Sequence, residues 1–404
     1  SRCSSSLLAL VLVCFAFLFV VARTMMRQWI CLLPLLVMLV CVIPTGCADV
    51  VPLTRVVRKP QVSKLFGVDR HMPIANFDNI QYFLNVSVGS PPQLVQLLVD
   101  TGSSNLWLPG VNASGLRENH SVYNSSASIT YTAIGTPIEL DYGSGAVKGF
   151  QSSDDVSLGG KTAHNFVFTE VTTARGYSLG VQFDGILGLA WPALAVQGTP
   201  PLMTALGIND FALYLAGNGS YMPYDMRSRL LLGGVDTKFF QQPLRYYSLL
   251  REDWWVVKLC AIRLDGKLVN KECDGGNCSI VFDSGTSWID GPVSLLGDVH
   301  HATVPSLNCS NLSSLPRLSF DLCGHEYEFS AEEYTNIPYI PILDKHLCQS
   351  GIQIRSDSEG DMRLQNTVIA GDSFFRKFFI HHDFKHRRIG IARAKNVAEH
   401  EYIV

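Results

Sequence analysis

The sequence predicts a mostly β protein built from two duplicated, β-barrel-like halves. Three observations carry that expectation. Short apolar runs recur along the chain, each broken by Gly, Asn, Ser or Pro. An apolar strand ending in Asp-[Ser/Thr]-Gly occurs twice, at Asp100 and at Asp283. No heptad period or low-complexity tract competes with these signals.

At 404 residues the chain has room for two cores of ordinary domain size. Apolar residues make up 47% and charged residues 17%, the composition of a packed globular protein and not of a disordered one. The formal net charge is −3 and like charges form no block. Nucleic acid, which calls for a basic stripe, is therefore not an expected partner.

The amino-terminal segment differs in kind. Two apolar runs, Leu7 to Ala22 and Trp29 to Ile43, flank Arg23, Met25, Met26 and Arg27. Each is shorter than the roughly 20 residues that a membrane-spanning helix prefers. Residues 25–48 have the parts of a secretory signal: a start at Met25 or Met26, Arg27 as its charge, an apolar stretch, and the small-residue exit Gly46-Cys47-Ala48. Residues 1–24 are then upstream sequence. The competing assignment keeps Leu7 to Ala22 as an uncleaved membrane anchor.

Secretion agrees with the cysteines. Five of the 11 (Cys3, Cys14, Cys31, Cys41, Cys47) fall in the removable segment. Cys260, Cys273, Cys278, Cys309, Cys323 and Cys348 remain, an even set confined to the second half. An even number in an oxidising compartment favours disulfides. No CxxC or HExxH spacing exists, so neither a metal nor a cofactor is expected. Glycosylation sequons occur at Asn85, Asn112, Asn119, Asn124, Asn218, Asn277, Asn308 and Asn311. Asn85 lies in a predicted strand, and Asn277 and Asn308 abut cysteines.

Strands are predicted over Tyr82 to Val88, Leu94 to Asp100, Pro137 to Tyr142, Asn165 to Val171 and Arg229 to Leu232. Further ones run over Trp254 to Leu259, Ser279 to Phe282, Arg317 to Leu322, Thr367 to Ala370 and Phe378 to Asp383. Helical stretches are few: Pro201 to Gly207, Pro292 to Val299 and Phe374 to Phe378. The internal echo sets Leu97 to Ser104 against Ile280 to Ser287. Each copy is followed downstream by an apolar element with Gly, Ile186-Leu187-Gly188-Leu189 and Val368-Ile369-Ala370-Gly371-Asp372. The repeat divides the body near Phe240 into residues 77–240 and 241–404, each with one Asp.

The residue types suit one chemistry. A buried strand carries each Asp to its end, and Gly102 and Gly285 permit a sharp reversal and a close approach. The hydroxyls of Thr101, Ser103, Ser284 and Thr286 can bond to the carboxylates or across the two halves. If the halves face each other, Asp100 and Asp283 meet across a shared water. Like charges that close cannot both ionise, so the pair holds one proton and titrates as a unit. One carboxylate is then a base toward water and the other an acid toward a carbonyl, without a covalent intermediate.

At these residues the chain resembles the pepsin-like aspartic proteases, a family that includes cathepsin D and the plasmepsins and whose paired carboxyls are the type example of such coupling. The resemblance runs from about Asn76 to Ala394. Tyr82-Phe83 with Val88 to Gln93 resembles the family's first strand and turn, and Val99 to Trp107 its first active-site signature. Phe183 to Leu189, Leu231 to Asp236 and Phe282 to Ser287 resemble its later elements. The resemblance implies a bilobal acid-protease fold and an aspartic endopeptidase acting as a monomer on peptides or proteins at acid pH. It also implies a flap at Tyr142-Gly143-Ser144-Gly145, with Tyr142 reaching toward Trp107, and a hydrophobic subsite lined by Leu98, Tyr177, Phe183 and Ile186. Bulky apolar residues are then expected on either side of the cut. A catalytically inactive glycoprotein that binds peptides is the alternative.

The same resemblance pairs Cys273 with Cys278 and Cys309 with Cys348, leaving Cys260 and Cys323 as an extra bridge. The family's first-lobe disulfide is absent, so the loop Val111 to Asn124 must hold its shape by other means. Residues 49–76 resemble a short propeptide that starts at Val51-Pro52-Leu53 and offers Arg55, Arg58, Lys59 and Lys64 to acidic groups. A cut is expected between Phe66 and Asn76. The destination is the secretory pathway, either outside the cell or in an acidic lysosome- or vacuole-like compartment.

Overall fold

A computed structural model describes residues 70–395 apart from 78, 117–119, 178–180, 218–225, 274–276, 338, 341–344 and 359–360. The expected signal peptide, anchor, most of the propeptide, and Asn119 and Asn218 lie outside the described residues. Among the described residues no helix is long and apolar enough to cross a membrane.

The run predicted as a strand from Leu94 is a strand over Gln93–Asp100, and its last four residues are all buried. Continuous burial is expected of a strand enclosed on both faces. It pairs antiparallel with Gln81–Val88 and parallel with Gly185–Gly188. Gly185–Gly188 runs antiparallel to Leu106–Ser114, which in turn lies parallel to Lys161–Arg175. The second half repeats this order strand for strand. Cys278–Phe282 pairs antiparallel with Val256–Leu259 and parallel with Thr367–Ala370. Thr367–Ala370 runs antiparallel to Ile289–Pro292, itself parallel to Ile352–Arg355. Parallel neighbours need long crossovers. That is why each Asp strand is flanked by a segment so distant in sequence.

The halves are not separate sheets. A six-stranded sheet takes His71–Pro73, Asp210–Tyr214 and Arg229–Leu232 from the first half and Arg245–Ser248, Phe378–Asp383 and Arg388–Arg393 from the second. Its central seam is the pairing of Phe211 with His382 and Ala212 with His381. One continuous hydrophobic core includes Leu97, Val99, Leu187 and Leu213 with Trp255, Phe282, Val368 and Phe374. A second cluster, around Trp107, packs apart from it.

Helices form at Leu202–Ala205, Val293–Ala302 and Asp372–Lys377, close to the predicted stretches. A fourth turn, Ala331–Tyr334, was not predicted, although Glu333 reaches back to the Ser330 N–H at 2.7 Å as a Ser-x-x-Glu start allows. Disulfides join Cys260–Cys323, Cys273–Cys278 and Cys309–Cys348.

The loop without a disulfide is held by buried Asp184. Its carboxylate accepts the backbone N–H groups of Gln96 (2.7 Å) and Ser121 (2.8 Å) and faces His120 Nδ1 at 3.3 Å. At the far end of the loop, the Tyr123 N–H donates to Pro109 O at 2.8 Å, and its hydroxyl donates to Asp154 at 2.5 Å.

Candidate active site

Asp100 ends the strand Gln93–Asp100 and Asp283 directly follows the strand Cys278–Phe282, and the crossover segment pins the backbone of each. The Leu189 N–H donates to Asp100 O at 2.7 Å, and the Asp283 N–H donates to Ala370 O at 3.0 Å. The two turns then fold back on their own carboxylates in the same way. The Gly102 N–H donates to Asp100 Oδ1 at 2.8 Å, and the Gly285 N–H to Asp283 Oδ1 at 2.8 Å. The Ser103 hydroxyl donates to Asp100 Oδ2, and the Thr286 hydroxyl to Asp283 Oδ2 at 2.7 Å.

The turns also interlock. A Cβ on Gly102 would overlap the Asp283 carboxylate, and one on Gly285 would overlap that of Asp100. Only glycine leaves room for each carboxyl to sit against the opposite turn. The next residues cross over in pairs. Thr101 Oγ1 donates to Phe282 O at 2.9 Å and accepts the Ser284 N–H at 2.9 Å. Ser284 Oγ donates to Val99 O at 2.7 Å and accepts the Thr101 N–H at 3.2 Å.

Asp100 is 5% exposed, whereas Asp283 is partly open. Burial, then the neighbouring charge of Asp283, pushes the Asp100 carboxyl well above the usual carboxylate range, against the pull of the Ser103 and Gly102 bonds. A third carboxyl, Asp372, heads the helix Asp372–Lys377. Burial raises its pKa well above the ordinary value, with Arg376 opposing and Asp283 and Asp100 reinforcing the shift. Its Oδ1 has no hydrogen-bond partner among the described residues. Sequence reasoning placed Asp372 in the echo but gave it no role.

Tyr142 ends one strand of a hairpin, Thr132–Tyr142 with Gly145–Leu158, and pairs with Gly145 across the tip Gly143-Ser144. Its hydroxyl faces Ser103 and Trp107, and its pKa is raised by burial and by Asp100. Leu98, Tyr177, Phe183 and Ile186 lie together with Trp107 in the second hydrophobic cluster, against which Tyr142 packs. Tyr177 meets Trp107 edge-on at 5.5 Å, and Tyr142 and Phe183 at 6.4 Å each. The expected flap and subsite residues are thus brought together beside Asp100.

Sequence reasoning missed Trp254. Its indole Nε1–H donates to Gly102 O at 3.0 Å, from the second half onto the first motif. The only sequence signal was an aromatic pair, Trp254-Trp255, ahead of a strand. Of the sequons in described segments, Asn85, Asn112, Asn277 and Asn308 are exposed. Asn124 and Asn311 instead use their side chains within their loops, accepting the N–H groups of Ser126 and Ser306. No cluster of three or more His, Cys, Asp or Glu suited to a metal occurs among the described residues.

Comparison with known proteins identifies the family. Residues 81–394 match the family model of the eukaryotic aspartyl proteases. The chain is 35% identical over 340 residues to a protein named probable vacuolar protease A from Trichophyton verrucosum, covering 80% of each chain. It is 31% identical over 351 residues to pepsin A of Sus scrofa, covering 82% of this chain and 86% of that protein. It is 32% identical over 350 residues to human cathepsin D, covering 80% of this chain and 82% of that protein. The chain belongs to the eukaryotic aspartyl protease family and is, as a member, an aspartic endopeptidase with the family's mostly β, bilobal fold.

Proposed function

We propose that Asp100 and Asp283 hydrolyse peptide bonds by activating one water held between them. The observation that carries this is the interlock of the two turns, in which each carboxyl rests against the glycine of the other. The more buried Asp100 keeps the shared proton in the free enzyme, and Asp283 is the base. Asp283 takes a proton from the water as it attacks the scissile carbonyl, while Asp100 gives its proton to the carbonyl oxygen. The resulting gem-diol collapses with proton transfer to the leaving amine, which restores the starting pair.

Thr101, Gly102, Ser103, Ser284, Gly285 and Thr286 orient the carboxyls, and Trp107 anchors Tyr142. The hairpin tip carrying Tyr142, Gly143 and Ser144 closes over the peptide and excludes bulk water. The cluster of Leu98, Tyr177, Phe183 and Ile186 receives a bulky apolar side chain beside the cut. The enzyme works as a monomer; its place in an acidic vacuole- or lysosome-like compartment is supported by the names of its relatives. The pairing of His71–Pro73 with Arg229–Leu232 supports a propeptide cut between Phe66 and Arg70, which would leave this strand on the mature chain.

Incubation at about pH 4 with a denatured protein tests the reading. Wild type should cleave between bulky apolar residues, and Asp100→Asn or Asp283→Asn should lose at least about a hundredfold in rate. An inert wild type, or an undiminished Asp100→Asn, would overturn it. Amino-terminal sequencing of the mature chain checks the cut.

A further inference from the structure

We propose that Trp254 is a positioning residue for the Asp100 carboxyl, acting through the Gly102 peptide and held in place by Arg363 and Arg251. The inference rests on the reading of Asp100 and Asp283 as the catalytic pair.

Gly102 is gripped at both backbone polar atoms: its N–H donates to Asp100 Oδ1 at 2.8 Å, and its carbonyl accepts the Trp254 indole N–H at 3.0 Å. Glycine is the residue with the most backbone freedom, and here it cannot carry a side chain because Asp283 occupies that space. Its orientation must therefore be fixed from outside. The indole N–H is suited to this, since it only donates and swings on just two side-chain torsions.

The indole is itself held. The Arg363 guanidinium lies 4.4 Å from its ring centre and that of Arg251 5.7 Å. Arg363 sits on the short turn Met362–Leu364 and is bonded to Asp361 through Nε at 3.0 Å and Nη2 at 2.6 Å. Arg251 donates through Nε to Asp253 at 2.9 Å and through Nη2 to Arg363 O at 3.2 Å. Asp253, 6% exposed, also accepts the Trp254 N–H at 2.6 Å and faces Arg363 Nη1 at 3.4 Å. Two guanidinium groups are thus balanced by two carboxylates. The clamp stiffens the indole without bringing net charge toward the Asp pair.

The plainer role, packing between the halves, is filled by the neighbouring residue. Trp255 is fully buried and donates its Nε1–H to Leu189 O at 3.0 Å. Trp254 remains partly open and points its donor at the active turn. The Gly102 N–H is one of two bonds that draw the Asp100 carboxyl down toward its charged form. Loosening the Gly102 peptide should therefore alter proton affinity at the pair, which packing alone would not do.

The test is Trp254→Phe, which keeps an aromatic ring and removes the donor, beside Arg363→Met, which removes the half-exposed clamp. Both are assayed with a peptide cut by wild type. For Trp254→Phe, kcat should fall about tenfold, the equivalent of one hydrogen bond, with KM changing less than about twofold. The alkaline limb of the kcat/KM profile, which reports loss of the proton held on Asp100, should move to higher pH. Arg363→Met should give the same shifts, smaller. An active wild type with unchanged kcat and alkaline limb in the folded variants overturns the inference alone. If Trp254→Phe fails to fold, Arg363→Met decides by the same criteria. An inactive wild type overturns the catalytic reading and the inference with it.

Discussion

Thr101 and Ser284 exchange hydrogen bonds between the two halves, each side chain accepting the other's backbone N–H, at 2.9 and 3.2 Å. Each also donates onward to a carbonyl of the opposite strand, Phe282 O and Val99 O. All four groups are buried with their residues, so water cannot replace a lost partner. Thr101→Val keeps the shape but strands one donor and one acceptor. It should lower the free energy of unfolding by about 2–4 kcal/mol, measured by urea titration. Ser284→Ala should cost a similar amount, and the double variant less than the sum, because the two share one network.

The Asp184 carboxylate does the work of a staple for the loop after Leu106–Ser114. Removing it in Asp184→Ala leaves the Gln96 and Ser121 N–H groups without an acceptor, at roughly 1–3 kcal/mol each. Limited proteolysis should then cut first between residues 111 and 124. Wild-type resistance in that segment would show that the Tyr123 contacts suffice.

Two buried titratable groups should bend the stability of the fold with pH in opposite directions. Glu170, buried with Ser152 as its hydrogen-bond donor at 2.7 Å, has its pKa raised by burial. The folded state holds that proton more tightly than the unfolded chain does. Its penalty is therefore absent below the ordinary value of 4.5 and grows as pH rises through the folded value. Glu170→Gln should stabilise the protein near pH 7 and have little effect near pH 4.

His382 is the reverse case. It is fully buried, stacked on Phe211 at 4.5 Å and edge-on to Trp255 at 4.8 Å, and neither ring nitrogen has a partner among the described residues. Burial, then His381, holds its pKa well below 6.5. Nearby charge is engaged elsewhere: Asp210 with His381, and Asp383 with His386 and Arg388. The neutral ring fits the fold, so its contribution is intact above 6.5 and is lost as pH falls toward the folded value. His382→Phe should raise the melting temperature at pH 4 more than at pH 7. An equal gain at both would assign the effect to packing alone.

The Cys260–Cys323 bridge closes a span of 63 residues. By loop-closure entropy its removal in Cys260→Ala/Cys323→Ala should cost about 4 kcal/mol. The three disulfides among the described residues lie in the second half. Under mild reduction, hydrogen exchange should therefore rise there before it rises around Leu97 and Leu187.

Much of this was legible in the sequence because the informative residues carry strong local constraints. Arg229–Leu232, Thr367–Ala370 and Phe378–Asp383 form strands at the predicted bounds. The hairpin strands run longer than predicted, Thr132–Tyr142 and Lys161–Arg175, because their outer residues are polar or exposed apart from the small Ala163 and Ala174 and lack an apolar signature. The Asp-Thr-Gly and Asp-Ser-Gly turns could be read as a pair because a duplicated motif marks its own partner. Trp254, Asp184 and Asp372 could not. Their significance lies in groups distant in sequence, such as Gly102 O, 152 residues from Trp254, and His120, 64 residues from Asp184, and no local pattern announces such a meeting.

The seam between Asp210–Tyr214 and Phe378–Asp383 also has a consequence during synthesis. The edge left open by Asp210–Tyr214 stays bare on the ribosome until Phe378–Asp383 has emerged. A nascent first lobe is therefore a half-built sheet with an exposed rim, dependent on a strand made much later for closure. Truncations that stop short of Asp383 should aggregate and not yield a smaller soluble domain.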